Sequence, residues 1–365
     1  MADSAKVLAA LGAVPLAMLL IGRDRRVAWL SPAALDLFTE GAQGLNYEGL
    51  HYTALLRQPR LTAAIETCLR TATKHVVPYV HSTAGSETTY RATCAPAPDE
   101  NGRAGAVLVS FEDVSQIEEA SQMRQDFVAN VSHELRTPLA ALMGLIETLR
   151  GPARDDSAAR ARFLGMMEAE AGRMNRLIAG LLSLARVEAE ERRPPEGTVD
   201  LAELVASVVD TLQPVIAGCG ARIAVRTEEN PVPVPGEAEQ LRQVLQNLIE
   251  NAVKYGHAEG GGSEVTITLS TSGDSRCRMA VIEVADRGPG IAPHHIARLT
   301  ERFYRVDDHR SRAGGGTGLG LAIVKHILNR HRGRLKIASS RGQGSTFTVF
   351  LPLAAPAARQ AKRPK

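Results

Sequence analysis

The sequence predicts a multidomain α/β protein of three successive parts: a small α+β domain, an antiparallel helical hairpin and a larger α/β domain. Three observations carry this. Short alternating apolar segments broken by turn residues fill residues 1–115. Two long stretches with apolar residues every three or four positions fill 116–192. Apolar strands then alternate with helical patterns over 198–354. The length, 365 residues, suits two or three domains. A composition 44% hydrophobic and 23% charged is that of an ordinary globular protein. The net charge of +3 is too small to suggest nucleic acid. Cys68, Cys94, Cys219 and Cys277 are scattered without CxxC spacing. They suggest neither a zinc site nor a disulfide framework, and a reducing, cytoplasmic setting fits.

In the first part, a helix near Ser4–Leu11 leads to a strand at Ala17–Ile21, a turn at Gly22–Arg26 and a return strand at Val27–Leu30. Ser31 and Pro32 are cap and first-turn residues of a helix. A second helix covers about Arg60–Ala72, and strands follow at Lys74–Thr83, Glu87–Pro96 and Ala104–Glu112. The apolar run Val7–Gly22 is short of the ~20 residues of a membrane span. It also lacks the flanks of a signal peptide. No transmembrane segment is expected, and peripheral membrane association through a partner stays open. The Asp24 turn, Ser31-Pro32-Ala33-Ala34 and the closing Phe111-Glu112-Asp113 resemble a PAS sensor domain, with Ser31 in place of the usual asparagine. The first part holds His51, His75 and His81, but a ligandless dimerisation or protein-contact role outweighs a haem or metal role for any of them.

The hairpin follows. Phe127, Val131, Leu135, Leu139, Leu142, Ile146 and Leu149 form one stripe of a helix running from about Val114 to Leu149. His133 falls opposite that stripe, and Glu134 follows it. Pro138 removes a hydrogen bond one turn on, so a bend is expected there. Alone, this fits a surface histidine beside a tolerated kink equally well. Gly151-Pro152 ends the helix, and Asp155 or Asp156 can cap a second from about Ser157 to Glu190. The seam of the second helix is Phe163, Met167, Met174, Leu177, Leu181 and Leu184. Two such helices bury little as a pair, and a four-helix bundle from two chains solves this. A monomeric hairpin packed on the rest of the chain is the alternative.

Arg192–Gly197 reads as a linker. Beyond it the expected order is helix Leu201–Gly218, strand Arg222–Thr227, a short strand near Val232–Val234 and helix Ala238–Tyr255. Strands Glu264–Ser270 and Met279–Asp286, helix Leu319–Arg330, and strands Arg334–Ser339 and Ser345–Leu351 complete it. Residues 355–365 read as a disordered basic tail. Asn247 and Asn251 share one helix face, as Mg²⁺ ligands alongside phosphate oxygens would. Lys254 can reach phosphate and Tyr255 can cover a base. Asp286, at a strand end, can accept from an exocyclic amine, with Gly288 and Gly290 letting the backbone approach the ring. Gly314–Gly320 runs into a helix, an arrangement that suits phosphate but matches neither a Walker A motif nor a dinucleotide fingerprint. Glu301–Arg305 followed by Val306–Gly315 looks like a lid with an aromatic anchor.

In order and spacing, these stretches resemble the histidine kinases of two-component signalling. Ser132–Leu139 matches the H box, Asn247–Tyr255 the N box and Asp286–Gly290 the G1 box. Phe303-Tyr304-Arg305 matches the F box, Gly316–Gly320 the G2 box and Gly342–Phe347 the last box. The N-terminal arrangement, with Leu55-Leu56-Arg57-Gln58-Pro59 before a helix, resembles the phosphate-regulon sensor kinases. The resemblance implies a Bergerat-type α/β sandwich that binds ATP and Mg²⁺, the metal on Asn247 and Asn251. It implies nucleotide contacts from Lys254, Tyr255, Asp286, Gly288, Gly290, Phe303, Arg305, Gly316, Gly318, Leu319, Gly320 and Thr346. His133 is the implied nucleophile and Glu134 its general base. Thr137 is implied to orient water for dephosphorylation of the regulator. The implied partners are a second copy of the chain and a response-regulator receiver domain. A conformational ATPase of the GHKL class and a non-catalytic dimeric scaffold are the competing readings. The histidine in its full box speaks against the first, and the intact nucleotide boxes speak against the second.

Overall fold

The structure is a computed structural model and describes residues 9–39, 47–83, 86–98, 104–191, 193–256, 263–273, 278–306 and 316–354. Most of the expected first helix, Cys277, the lid segment 307–315 and the C-terminal tail lie outside those residues; 9–12 are helical. The chain divides into two units, Met1–Ala129 and Asn130–Lys365.

The first unit is a five-stranded antiparallel sheet. Strands β1 (Ala17–Gly22), β2 (Val27–Leu30), β3 (His75–Thr83), β4 (Ser86–Pro98) and β5 (Ala104–Asp113) stand in the order β2-β1-β5-β4-β3. Helices α1 (Pro32–Thr39) and α2 (Pro59–Thr71) pack against it. Leu19, Ile21, Leu56, Leu61, Ile65 and Phe111 are fully buried in its core. Ser31 does more than cap α1. Its Oγ accepts from Ala34 N at 3.2 Å and Met18 N at 2.9 Å, and donates to Leu16 O at 3.0 Å. It thus fastens α1 to β1 and satisfies buried backbone groups.

Helix α3 (Ser115–Arg150) has Pro138 inside it and buried. Burial of the ring offsets part of the cost of the missing N–H. In the second unit a turn leads to α4 (Ser157–Glu190). Of the two cap candidates Asp156 serves: its Oδ1 accepts from Ala158 N and Ala159 N, both at 2.9 Å. Leu177, Leu184 and Val187 of α4 are buried, but Leu139, Met143 and Ile146 of α3 and Leu164, Ile178 and Leu182 of α4 stay exposed. One hairpin leaves much of its apolar surface uncovered, as expected of half a bundle.

The α/β part carries an element that periodicity does not announce. The three residues after the linker form β6 (Thr198–Asp200), paired with β8 (Pro233–Pro235). Asp200 Oδ1 caps the next helix through Ala202 N and also accepts from Val232 N, both at 3.0 Å. Helix α5 (Leu201–Gly218), strand β7 (Arg222–Thr227), helix α6 (Ala238–Tyr255) and strands β9 (Glu264–Ser272) and β10 (Met279–Asp286) follow. A short helix α7 (Pro293–Ile296), α8 (Gly320–Arg330), β11 (Arg334–Ser339) and β12 (Ser345–Pro352) complete it. The sheet order is β11-β12-β10-β9-β7; β7 and β9 are parallel and the other neighbours antiparallel. Helix α6 packs against both α5 and α8, and all three pack on this sheet. Among the described residues one helix, α5, is long and apolar enough to cross a membrane. Its Leu201, Leu204, Val205, Val208 and Leu212 are buried, which is the packing of a core helix.

Candidate active site

The turn between α3 and α4 brings residues equally far from it face to face. Glu134 and Arg173 are such a pair, with Oε2 3.4 Å from Nη2. Arg173 also lies 3.6 Å from Glu170 through Nη1. His133 is exposed, and Thr137 Oγ1 donates to the His133 carbonyl at 3.2 Å, closing a turn of helix below the imidazole. A solvent-reached ring on a rigid helix, with a half-buried carboxylate beside it, suits a nucleophile that meets successive partners.

A second cluster forms where α6, the end of β10 and the start of α8 converge. Leu241, Val244, Leu245, Leu248 and Ile249 bury one side of α6, which leaves Asn247 and Asn251 half-buried. A Cβ on Gly320 would stand 2.9 Å from Asn247 Oδ1, so the glycine lets the amide reach the N-terminus of α8. Asp286 Oδ1 accepts from Gly288 N at 2.8 Å and Ser345 N at 3.2 Å. Burial raises its pKa above the usual carboxylate value, while these two backbone donors pull the other way. A Cβ at Gly288 would strike the Tyr255 carbonyl and lie 2.9 Å from Gly256 Cα, which ties this loop to the end of α6. Gly290, at φ 69°, packs on the Ser340 backbone. Thr346 stands opposite Ala285 in the sheet, beside the Asp286–Ser345 pair.

Phe303 is clasped to the glycine loop. Phe303 N donates to Gly318 O at 2.9 Å. Tyr304 Oη lies 2.6 Å from His295 Nδ1, with the Arg298 guanidinium 4.3 Å over its ring. Two expected contacts differ in detail. Lys254 Nζ is ion-paired with Glu250 at 2.8 Å. Leu319 is fully buried, and a Cβ at Gly180 of α4 would lie 3.3 Å from its Cδ1. The Leu319 side chain therefore holds α8 to the hairpin, and only its backbone faces the glycine loop. Gly316 is half-buried at the start of that loop.

Hairpin and nucleotide cluster meet. The Arg305 side chain is 7% exposed, and Nη1 lies 3.9 Å from Glu134 Oε2. Its Nε and Nη2 are buried without a hydrogen-bond partner among the described residues. A buried cation so poorly matched is costly by itself and suits an anionic ligand. Lower down, Arg302 Nη2 reaches Glu188 Oε1 at 2.6 Å, and His326 Nδ1 reaches Glu191 Oε2 at 2.9 Å. Gln243 Nε2 donates to Ser183 Oγ at 2.7 Å. Arg173, Arg302, Glu188 and His326 escape sequence reading, because each acts through a partner far away in the chain.

The donor set fits a magnesium nucleotide. Two neutral amide oxygens, a glycine loop running into a helix N-terminus, a partly satisfied buried carboxylate and an under-paired guanidinium match metal, phosphate, amine and phosphoryl group in turn.

Residues 236–355 match the family "Histidine kinase-, DNA gyrase B-, and HSP90-like ATPase", 123–190 the "His Kinase A (phospho-acceptor) domain" and 11–119 the "PAS fold". The chain is 43% identical over 258 residues to the phosphate regulon sensor protein PhoR of Pseudomonas aeruginosa, covering 71% of this chain and 56% of PhoR. It is 40% identical over 270 residues to the sensor-like histidine kinase SenX3 of Mycobacterium tuberculosis, covering 73% and 62%. The chain thus spans about three-fifths of the length of these curated relatives. A crystal structure of histidine kinase ThkA with response regulator protein TrrA shares the fold, at TM-score 0.51 and 19% identity, covering 95% of this chain and 98% of that one.

Proposed function

The chain belongs to the sensor histidine kinases, and from that premise we propose that it phosphorylates its own His133 from ATP and passes the phosphoryl group to an aspartate of a response-regulator receiver domain. The observation that carries this is Arg305, a buried and under-paired cation of the ATP-binding part, lying beside Glu134, the residue next to the exposed histidine. Two parts of the chain that share no local sequence thus meet at one acceptor site.

In this reading His133 Nε2 attacks the γ-phosphorus, the bond to the β–γ bridging oxygen breaks, and ADP leaves. Glu134 accepts the hydrogen bond of the other ring nitrogen and takes up the charge that forms on the imidazole. Asn247 and Asn251 would hold Mg²⁺, which neutralises phosphate charge when bound. Asp286 accepts from the adenine amine, through the oxygen not held by the two backbone N–H groups. The amides of Gly316–Gly320 cradle phosphate, with the Leu319 side chain anchored elsewhere. Lys254 reaches phosphate by exchanging Glu250 for it. Thr137 orients water when the same surface dephosphorylates the regulator. The uncovered apolar faces of the hairpin pair with a second copy, and the catalytic part works on the cytoplasmic side, where ATP is. The likeness to PhoR makes a receiver domain of phosphate signalling the first partner to test.

The test is incubation with γ-labelled ATP. Wild type should retain an acid-labile, base-stable label, and H133Q should retain none while still binding nucleotide. Label persisting on H133Q would overturn the assignment. ATP hydrolysis with no label on wild type would favour a conformational ATPase instead.

A further inference from the structure

We infer that Arg173 is a positioning residue for phosphoryl transfer, holding the Glu134 carboxylate by Oε2 so that Oε1 is left to meet the imidazole of His133. The inference rests on the reading of Glu134 as the partner of His133 and adds the group that fixes it.

Among the described residues, both ion pairs of Glu134 run through Oε2, to Arg173 at 3.4 Å and Arg305 at 3.9 Å. The two guanidiniums are not equivalent. Arg173 stands on α4, joined to α3 by a short turn, so it stays with Glu134 wherever the ATP-binding part moves. Arg305 belongs to that part and leaves with it. Without Arg173, the charged partner left to Glu134 would be one that carries it away from His133 in every catalytic cycle.

The burial of the pair gives it directional force. Side-chain exposure is 16% for Arg173 and 21% for Glu134, well below that of a solvated surface bridge. Exposed pairs order little, whereas a desolvated pair holds its geometry, because breaking it leaves a charge without solvent. Glu170, one helical turn before Arg173, lies 3.6 Å from the other terminal nitrogen. The guanidinium is thus gripped from its own helix by one carboxylate and presents its second nitrogen to the other. A planar fork does this; an ammonium on a flexible stem does it less well.

Arg173 lies apart from the nucleotide cluster, so its loss should slow the transfer step and spare ATP binding. The experiment uses the full chain as wild type, R173M, R173Q, R173K, E134Q and E134Q with R173M. The initial rate of label uptake is measured at saturating ATP, together with the KM for ATP. R173M should lower the rate about tenfold or more, as misplacement of a reacting group does, with KM within about twofold of wild type. R173K should recover part of the rate. In the E134Q background, R173M should cost less than about twofold, because the group it positions is already gone. R173Q, which keeps a polar side chain, replaces R173M should the latter melt at a lower temperature than wild type. A wild-type rate in R173M and R173Q beside an impaired E134Q would overturn the inference and leave Glu134 in its role. Equal losses from R173M with and without E134Q would overturn it too. An unimpaired E134Q would instead remove the reading of Glu134 on which the inference stands.

Discussion

Phe303 N–H donates to the carbonyl of Gly318 at 2.9 Å, and both residues hold left-handed backbone, at φ 65° and 71°. This clasp joins Phe303 to the loop that leads into α8. A Cβ at position 318 would lie 2.8 Å from Phe303 Cα and C, and backbone at such a contact cannot swing aside. Gly318→Ala should therefore strain the loop by about 1–3 kcal/mol and open the clasp. Calorimetric titration with a non-hydrolysable ATP analogue should show affinity down by tenfold or more, on the order of 1.4 kcal/mol. Unchanged affinity would mean that the clasp does not shape the nucleotide site.

Gly320 makes a sharper test, because its close neighbour is the end of a side chain. An added methyl would displace Asn247 Oδ1, now 2.9 Å away, and the amide can rotate aside. Alanine also favours a helix by about 1 kcal/mol over glycine. Gly320→Ala should therefore keep or slightly raise the melting temperature while weakening Mg²⁺-dependent nucleotide binding. Thermal melts with and without Mg²⁺ and analogue separate the two effects. A fall in stability without loss of binding would contradict the role of Asn247.

Local chemistry made much of this fold legible. Asp156 and the three- and four-residue spacing of Leu177, Leu181 and Leu184 mark α4 to within the observed ends. The largely apolar run Met279–Ala285 marks β10 the same way. Strand β6 was invisible because three residues carry no period, and its partner Pro233–Pro235 has two prolines. The stretches at Asn247–Tyr255, Asp286–Gly290 and Gly316–Gly320 were legible through their order and spacing, as a family resemblance, and not one by one. The Glu134–Arg173–Arg305 cluster was not, since long side chains meeting across the chain leave no trace in spacing. Leu319 shows the converse: it sits in a motif, yet its side chain packs on Gly180.

Met143 of α3 and Leu164 of α4 lie equally far from the hairpin turn, and both are more than half exposed. Side chains of this kind left in water at one level of the hairpin mark a covered surface in the assembled bundle. Placing Glu at both positions puts charges where apolar contact is expected. Met143→Glu with Leu164→Glu should convert a dimer to monomer by light scattering, with the far-ultraviolet spectrum of the α/β part preserved. A variant that stays dimeric would show that the chains pair elsewhere.

The last relationship links stability to pH. His331 is buried at the end of α8. Its Nε2 accepts from Glu237 N at 3.1 Å, at the start of α6, and its Nδ1–H donates to Ile327 O at 2.8 Å. Only the neutral ring can make both bonds, because protonation would set a second N–H against the Glu237 N–H. Burial holds its pKa below the ordinary value, and Arg330 adds to that, while the Ile327 carbonyl and Glu237 oppose it. The sign follows from which state binds the proton first. Below about pH 6.5 the unfolded chain protonates this ring and the folded chain does not. The contribution is therefore fully present above that pH and is lost as the pH falls toward the folded value. Its slope cannot exceed about 1.4 kcal/mol per pH unit. Denaturant unfolding at pH 8 and pH 5.5 should show a larger loss for wild type than for His331→Gln, whose amide can accept and donate in the same places without titrating. Equal losses in the two proteins would remove His331 from the pH response.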